Sequence, residues 1–300
     1  MTAFRKSLEP VAAVAPGILR LVAPNPSMMT GPGTNTYLLG RQQVAVIDPG
    51  PAIDRHIDAI LGHASGPVRW ILATHTHPDH SPGVARLAAR TGAEVLGMPA
   101  PAGAHQDASF VPDRPLADGA RLDAGEFALE AIHTPGHASN HLCYRHVGLG
   151  WIFTGDHIIE GSTVVIDPPD GNMRDYLASL ARIRDLRPAA LLPGHGDVID
   201  EPARVIDWII DHRLAREHAV RKALRTGAGG TARELVAAVY PDVPAQLHGW
   251  AERSLLAHLI KLVEDGEAIA DNVAAGGGEA GIEDRRWRLA ATRTPARGPA

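Results

Sequence analysis

The sequence predicts a layered fold of the α+β class, followed by a mainly helical module. Two observations carry this prediction. In the first two-thirds of the chain, short apolar runs bounded by turn residues alternate with segments whose apolar residues recur at helical spacing. From about residue 203 onward, the pattern becomes almost entirely helical. Interleaved strands and helices bury their apolar faces in layers, so this change of pattern predicts a first domain over residues 1–203.

The elements of the first domain follow from these patterns in chain order. Runs rich in Val, Ile and Leu predict strands at 18–22, 36–39, 44–47, 68–73, 94–96, 127–132, 141–147, 151–153 and 189–192. Apolar residues three and four apart predict helices at 53–63, 83–90 and 173–186. The alternation of the two kinds of element favours sheets covered by helices.

The second domain is predicted over residues 204–290. Apolar spacing predicts three helices, at 204–224, 232–240 and 247–265. Thr231 stands at an N-cap position with Glu234 three residues later, which is the pattern of a capping box. Segments 268–272 and 286–289 are expected to pair as a hairpin around the glycine-rich stretch 276–281. Three helices and a hairpin describe a winged-helix module, and residues 291–300 are expected to form a disordered tail.

Composition excludes several classes of protein. Hydrophobic residues make up 45% of the 300 residues and charged residues 21%, which is typical of a globular chain with a substantial core. We expect no membrane span and no secretory signal, because every apolar run is too short. The single cysteine, Cys143, excludes an internal disulfide, and a cytoplasmic location is expected. A net charge of −5 provides no general attraction to nucleic acid or anionic membranes.

The segment THTHPDH at 74–80 is the strongest functional signal. It follows the predicted strand 68–73 and places four potential ligands within six residues: His75, His77, Asp79 and His80. His75 and His77 are two residues apart in extended chain, so their side chains point to the same side and can share one cation. Asp79 and His80 follow the turn at Pro78 and can face a second cation. Imidazole nitrogens with a carboxylate oxygen suit zinc, and also iron or manganese.

Three further candidate ligands lie in glycine-containing turns, each after an apolar strand. His137 is in HTPGHAS, Asp156 is in FTGD, and His195 is in PGHG. Glycine allows close backbone approach in such turns, while the strand holds the ligand in position. Asp156 has two carboxylate oxygens and can bridge two metals. Five histidines and two aspartates are enough for two metals with an open or water-filled position.

With these motifs, the sequence resembles the metallo-β-lactamase superfamily over residues 15–200. The resemblance implies an αβ/βα sandwich with the metal site at the edge where two sheets meet. It also implies how the ligands divide: His75, His77 and His137 would hold the first metal, Asp79, His80 and His195 the second, and Asp156 would bridge them. All seven positions carry the expected residue. We therefore expect two Zn²⁺ ions per chain, with iron or manganese as the alternatives.

A pair of metals predicts hydrolysis by a metal-bridged hydroxide, because two cations that share a water lower its pKa toward neutrality. Asp79 is the predicted catalytic residue, since its carboxylate can also steer the hydroxide. Three residues are predicted to bind substrate: Asn35 at the site mouth, His141, which glyoxalase II-like relatives also carry, and Asn172 in the loop 161–173. For His141 the alternative is a buried structural hydrogen bond. Asp48 is expected to order a turn near the site rather than to bind metal.

The C-terminal block resembles the lactamase-β-like endoribonuclease group, which consists of glyoxalase II-related proteins with a C-terminal winged helix. That resemblance implies single-stranded RNA as one class of substrate. The charges do not favour RNA, because residues 204–290 carry 12 Lys and Arg against 13 Asp and Glu. Aromatic residues, which stack on bases, make up only 4% of the chain. We therefore interpret the module as a packing or substrate-shaping element.

Three functional hypotheses remain at this stage. The favoured one is a binuclear hydrolase acting on a phosphodiester or on a small ester or thioester. The second is a mononuclear iron dioxygenase acting on persulfides, a group that shares the HxHxDH motif. The third is a non-enzymatic regulator that binds nucleic acid through the winged helix, against which the intact ligand set argues. The sequence does not determine the oligomeric state.

Overall fold

The structure is a computed structural model that describes residues 8–103, 105–227, 229–271 and 281–290. It divides into two compact units. The first comprises residues up to 164 together with 170–210, and the second comprises 165–169 together with the residues from 211 onward. The division falls inside a long helix, Pro202–Thr226, rather than at residue 203. The sequence pattern changes at the start of this helix, which is why the boundary was predicted near residue 203. The helix continues through the observed division without a turn residue, so no sequence pattern marks the division itself. The predicted tail lies outside the described residues.

Two sheets form the frame of the first unit. The first has seven strands in the order β1 to β7: Val11–Ala15, Ile18–Val22, Asn35–Leu39, Val44–Ile47, Val68–Leu72, Glu94–Gly97 and Arg114–Pro115. Strands β1 to β4 pair antiparallel, whereas β4 to β7 pair parallel. The second has five strands in the order β12–β11–β10–β9–β8: Leu191–Pro193, Trp151–Gly155, Leu142–His146, Ala128–His133 and Arg121–Asp123.

The inner faces of the two sheets share one apolar core. Tyr37 of β3 packs edge-on against Phe153 of β11, with ring centroids 5.1 Å apart. The outer face of the first sheet packs against helices α1 (Asp54–His63) and α2 (Gly83–Thr91), where Ile57 and Leu87 are buried. Helix α3 (Met173–Asp185) lies between β11 and β12 of the second sheet in the chain. This arrangement confirms the predicted α/β sandwich.

Several strands end in the segments that carry chemistry. The THTHPDH segment begins directly after β5, Asp156 follows β11, and His195 follows β12. An isolated bridge between Thr34 and His195 connects the segment before β3 to the segment after β12. The two sheets therefore bring strand ends that are far apart in sequence to one edge of the sandwich.

The second unit has the secondary structure of a winged helix. It contains part of helix α4 (Pro202–Thr226), then α5 (Ala232–Val239), α6 (His248–Glu264) and the antiparallel strands β13 (Ala268–Asp271) and β14 (Arg286–Leu289). Short 3₁₀ turns precede α6 and β14. A separate apolar core is formed by Val220, Leu235, Val239, Leu255, Leu259 and Trp287. None of the helices in the described ranges combines the length and apolar character needed to cross a bilayer.

Three short strands were absent from the sequence prediction. Strand β1 carries the sequence VAAVA, which has no alternation of apolar and polar residues, and it pairs only with β2. Strands β7 and β8 have two and three residues. Segments this short form strands because a neighbouring strand supplies hydrogen bonds, so local sequence carries almost no signal for them.

The capping box at the start of α5 makes a measurable contribution to the stability of the second unit. The side chain of Thr231 accepts from the Glu234 amide at 3.2 Å, and the Glu234 carboxylate accepts from the Thr231 amide at 3.0 Å. We expect Thr231→Ala to lower the free energy of unfolding by about 1 kcal/mol, because a helical amide loses its partner. Urea denaturation followed by circular dichroism measures this, and Thr231→Ser is the matched control that keeps the hydroxyl. Equal losses in both variants would contradict the capping role.

Candidate metal centre

Three histidines from two segments form the first cluster. The Nε2 atom of His75 lies 3.0 Å from Nδ1 of His77, and Nε2 of His137 lies 3.0 Å from the same atom. His75 is buried, while the other two are partly exposed. One ring nitrogen of each points to a common position, and these atoms all lie within 4.8 Å of one another. The cluster can therefore hold a metal ion.

Two carboxylates and two histidines form the second cluster. Nε2 of His195 lies 3.1 Å from Oδ2 of Asp79, and Nε2 of His80 lies 3.5 Å from the same oxygen. Oδ1 of Asp156 lies 3.3 Å from Nε2 of both histidines. Asp79 is the most accessible of the four, with 28% of its side chain exposed. The geometry suits a cation bound through nitrogen and oxygen.

The Asp156 carboxylate connects the two clusters. Its Oδ1 atom faces His80 and His195, whereas its Oδ2 atom lies 3.8 Å from Nε2 of His137 in the first cluster. The side chain is largely buried, with 13% of it exposed. Each oxygen is therefore directed to a different cluster, which is the arrangement of a carboxylate that can bridge two cations.

Buried atoms without hydrogen-bond partners indicate that cations fit this site. Nε2 of His80 and Oδ1 of Asp156 are both buried, and neither has a hydrogen-bond partner among the described residues. Burial of an unsatisfied polar group costs roughly 1–3 kcal/mol, and more for a charged group. A metal ion between these lone pairs would remove that cost. The donor set of imidazole and carboxylate is also the one that zinc, iron and manganese accept.

Burial keeps two rings of the first cluster, His75 and His77, uncharged. It lowers the pKa of His75 well below the usual value, and neighbouring imidazoles lower it further. Burial, followed by the proximity of His137, lowers the pKa of His77 to about 3. A neutral imidazole has the free lone pair that metal coordination requires. At neutral pH these two rings therefore offer nitrogen lone pairs rather than positive charge.

The second cluster has the opposite electrostatic character. Burial disfavours positive charge on His195, but the nearby Asp156 carboxylate outweighs it and raises the pKa of His195 to about 9. Burial likewise lowers the pKa of His80, but Asp79 and Asp156 together raise it well above the usual value. The pKa of Asp79 is lowered to about 2 because His80 and His195 overcome its desolvation. The carboxylates thus attract positive charge, which a divalent cation can supply in place of protons.

Asp48 orients one ring of the second cluster. Its Oδ2 atom accepts from Nδ1 of His80 at 2.9 Å and from the Thr74 hydroxyl at 2.7 Å, and Oδ1 accepts from the Thr74 amide at 2.7 Å. Asp48 has a φ of 51°, a left-handed backbone conformation that ends β4 in a sharp turn. The sequence predicted the turn but not the contact with His80. A carboxylate bonded to one ring nitrogen directs the other toward the metal position.

Asn35 is buried beneath the site rather than at its mouth. Its side chain is inaccessible to solvent, and Nδ2 donates to the carbonyls of Pro193 at 2.9 Å and Gly196 at 2.8 Å. These contacts hold the PGHG turn that carries His195. The structure therefore does not place Asn35 at the site mouth, and its burial and two carbonyl contacts argue against the predicted substrate-binding role. The pairing of β3 with this turn is a tertiary contact that the local sequence does not indicate.

His141 and Asn172 also have structural contacts. His141 is fully buried, its Nδ1 lies 2.9 Å from the Thr134 hydroxyl, and its ring lies 5.0 Å from the ring of His75. It therefore packs behind a predicted ligand, and these contacts favour the structural alternative over substrate binding. Asn172 is the N-cap of α3, where Oδ1 accepts from the amides of Arg174 and Asp175. That cap occupies its side-chain oxygen, which argues against a role in substrate binding.

Two family models match the chain. The first, described as the metallo-beta-lactamase superfamily, matches residues 29–195, a range that includes all seven residues of the two clusters. The second, described as a beta-lactamase associated winged helix domain, matches residues 231–274. Each match falls on the part of the chain where the sequence and the structure have the corresponding elements.

Known relatives match over most of their length. "Beta-lactamase-like protein 2 homolog" of Drosophila melanogaster is 31% identical over 271 residues, which cover 86% of this chain and 91% of the relative. "Atrochrysone carboxyl ACP thioesterase" of Aspergillus fumigatus is 29% identical over 255 residues, covering 80% of this chain and 78% of the relative. A metallo-beta-lactamase family protein of Thermus thermophilus superimposes with a TM-score of 0.73 at 24% identity, covering 93% of this chain and the whole of that chain. That last similarity supports the fold alone.

The contacts of Asn35 predict a loss of stability when they are removed. We expect Asn35→Ala to lower the free energy of unfolding by roughly 1–3 kcal/mol, because the Gly196 carbonyl loses its buried donor. Tyr37→Phe is the matched control. Its hydroxyl donates to the Pro193 carbonyl, which Asn35 also reaches, and accepts from Nδ2 of Asn35 at the longer distance of 3.4 Å, so its loss should be smaller. Urea denaturation of the metal-free protein measures both, and an Asn35→Ala variant as stable as the wild type would refute this account.

Proposed function

Because the chain belongs to the metallo-β-lactamase superfamily, we propose that it is a two-metal hydrolase whose substrate is a thioester. The chain is a metallo-hydrolase of this superfamily, with a cluster of histidines and aspartates that can bind metal. The observation that carries the proposal is the Asp156 carboxylate, whose two oxygens face two different clusters. A single metal would leave one of these clusters without a function.

We assign the first metal to His75, His77 and His137, and the second to Asp79, His80 and His195, with Asp156 between them. Zinc is the proposed metal, because it accepts both the all-histidine cluster and the mixed cluster without a strong preference for one geometry. Iron and manganese accept the same donors. The expected cytoplasmic location stays a prediction.

When bound, a pair of divalent cations polarises the acyl oxygen of a substrate and lowers the pKa of an attacking water. Asp79 is the residue that we propose to act on this water. Its Oδ2 atom lies 3.1 Å from His195 and 3.5 Å from the Thr34 hydroxyl, and its side chain is the most exposed in the second cluster. Asp79 can therefore hold the water by accepting a hydrogen bond and direct its lone pair toward the acyl carbon.

A thioester suits this site better than a phosphodiester does. Hydrolysis breaks the carbon–sulfur bond and forms a carbon–oxygen bond, so the products are a carboxylate and a thiol. A thiol has a pKa near 8.5, so the thiolate leaves without prior protonation, and the site does not need a separate general acid. One relative is named a thioesterase. Residues 204–290 are nearly neutral, with 12 basic and 13 acidic residues, so they provide no excess of positive charge to bind an RNA backbone.

The other two hypotheses are less well supported. A mononuclear iron dioxygenase would need one metal, yet Asp79, His80, Asp156 and His195 supply a second complete cluster. A nucleic-acid-binding regulator would need a basic surface rather than a metal site. Oxygen uptake with glutathione persulfide and a gel shift at physiological salt test these alternatives directly.

The main test is hydrolysis of an acyl N-acetylcysteamine thioester by zinc-loaded protein, with the released thiol detected colorimetrically. We expect turnover that disappears after chelation and returns when zinc is added. His80→Ala should lower kcat/KM by at least about 100-fold and reduce the bound zinc measured by mass spectrometry. Turnover that persists in His80→Ala after its metal content has fallen would refute the scheme.

His218→Ala is the matched control for this substitution, since His218 is exposed on helix α4 and outside both clusters. It should keep wild-type activity and metal content. A short single-stranded RNA and an oxygen ester of the same acyl group complete the substrate set. Hydrolysis of the RNA with no turnover of the thioester would favour the endoribonuclease hypothesis over ours.

A further inference from the structure

The hydroxyl of Thr76 lies between two proposed ligands and takes part in a hydrogen-bonded chain outside both clusters. Thr76 separates His75 from His77, and its side chain is fully buried. Its hydroxyl donates to Oε1 of Gln106 at 2.5 Å and accepts from Nδ2 of Asn140 at 2.8 Å. The turn that carries two ligands is thus held by side chains from two other segments.

The series of hydrogen bonds continues from Gln106 to the Asp170 carboxylate. Nε2 of Gln106 donates to Oδ2 of Asp170 at 3.0 Å. Asn140 therefore donates to Thr76, Thr76 donates to Gln106, and Gln106 donates to Asp170. Bonds that run in one direction polarise one another, and an anionic acceptor at the end strengthens the series.

A backbone contact of Asp170 closes this series of hydrogen bonds into a ring. The Asp170 carboxylate accepts from the amide of Ser139, at 3.3 Å to each oxygen, and Ser139 precedes Asn140 in the segment that carries His137. The ring therefore passes through the segments of His75–His77, His137 and Asp170. Asp107 adds a further bond, from its amide to the Thr76 carbonyl at 2.7 Å. The two segments that supply the three-histidine cluster are held together by this ring.

We propose that Gln106 and Asp170 are positioning residues that set the spacing of His77 and His137 in the three-histidine cluster. This inference rests on the proposed function, because it assigns the ring a role in metal affinity. Gln106 is suited to the role because its amide is both an acceptor and a donor. It can therefore connect a hydroxyl donor to a carboxylate acceptor, as no carboxylate side chain can.

The Gln106→Glu substitution tests the direction of the hydrogen bonds from Asn140 through Thr76 and Gln106 to Asp170. At pH 8 a glutamate at this position still accepts from Thr76, but it cannot donate to Asp170, and it places a second negative charge beside that carboxylate. We expect metal affinity at the three-histidine cluster to fall about 10-fold, the lower end of the range for loss of a direct partner of a ligand, because Gln106 reaches the ligands only through Thr76 and Asp170. Gln106→Glu combined with Asp170→Asn should recover most of the affinity, because the asparagine amide can donate to the glutamate.

The measurement is a titration of metal-free protein with Co²⁺, followed by visible absorption and calorimetry. His137→Ala identifies which binding event belongs to the three-histidine cluster. We expect Gln106→Glu to weaken that event while the other event keeps its wild-type affinity. Gln246→Glu, the same charge change at an exposed residue of the second unit, is the matched control and should bind as the wild type does.

Three results would overturn the inference. Wild-type affinity in Gln106→Glu would do so, as would a double variant that binds no better than the single one. A loss of thermal stability in metal-free Gln106→Glu without a change in cobalt affinity would show that the ring stabilises the fold and does not set metal affinity. Failure of the proposed function has a different signature, since the wild-type protein would then not hydrolyse the thioester or would bind fewer than two cobalt ions, whatever the affinity of the Gln106→Glu variant.

Discussion

The placement of one carboxylate between two groups of nitrogen and oxygen donors is the constraint on which the site depends. Asp156 can face both clusters only if the end of β11 lies next to the turns that carry His137 and His195. The antiparallel pairing of β9, β10 and β11 and the parallel pairing of β11 with β12 bring these ends together. The sheets thus hold buried donors close to one another, at a cost in desolvation that bound cations would offset.

Each metal-facing turn is held by contacts from a distant segment. Asp48 orients His80, Asn35 holds the turn of His195, and Thr76 connects the segments of the three-histidine cluster. The side chains of Asp48, Asn35 and Thr76 are all buried. A turn by itself is the most variable part of a fold, so a preorganised metal site requires such support. The fold therefore positions the candidate ligands through buried side chains that are not themselves candidate ligands.

The second unit has its own core and carries nearly equal numbers of basic and acidic residues. Its core is formed by α4, α5, α6 and β14, and Trp287 is fully buried within it. Basic side chains such as Arg221 and Arg288 form ion pairs with Glu267 and Asp271, which leaves less free positive charge on the surface. The sequence could predict both features, because apolar spacing indicates the helices and counting indicates the charge.

The sequence by itself determined the layered strands and helices, the winged-helix elements and the seven candidate ligands, because strand and helix periods and the HxHxDH, GH and GD motifs are local patterns. The αβ/βα sandwich followed from the family resemblance that those motifs carry. Tertiary structure alone decided the contacts of Asn35 and His141, the contact of Asp48 with His80, and the strands β1, β7 and β8. The physical reason is the same in each case. Whether a polar side chain faces solvent, a ligand or a distant carbonyl depends on which segments pack against it, and that information is not contained in its neighbours along the chain.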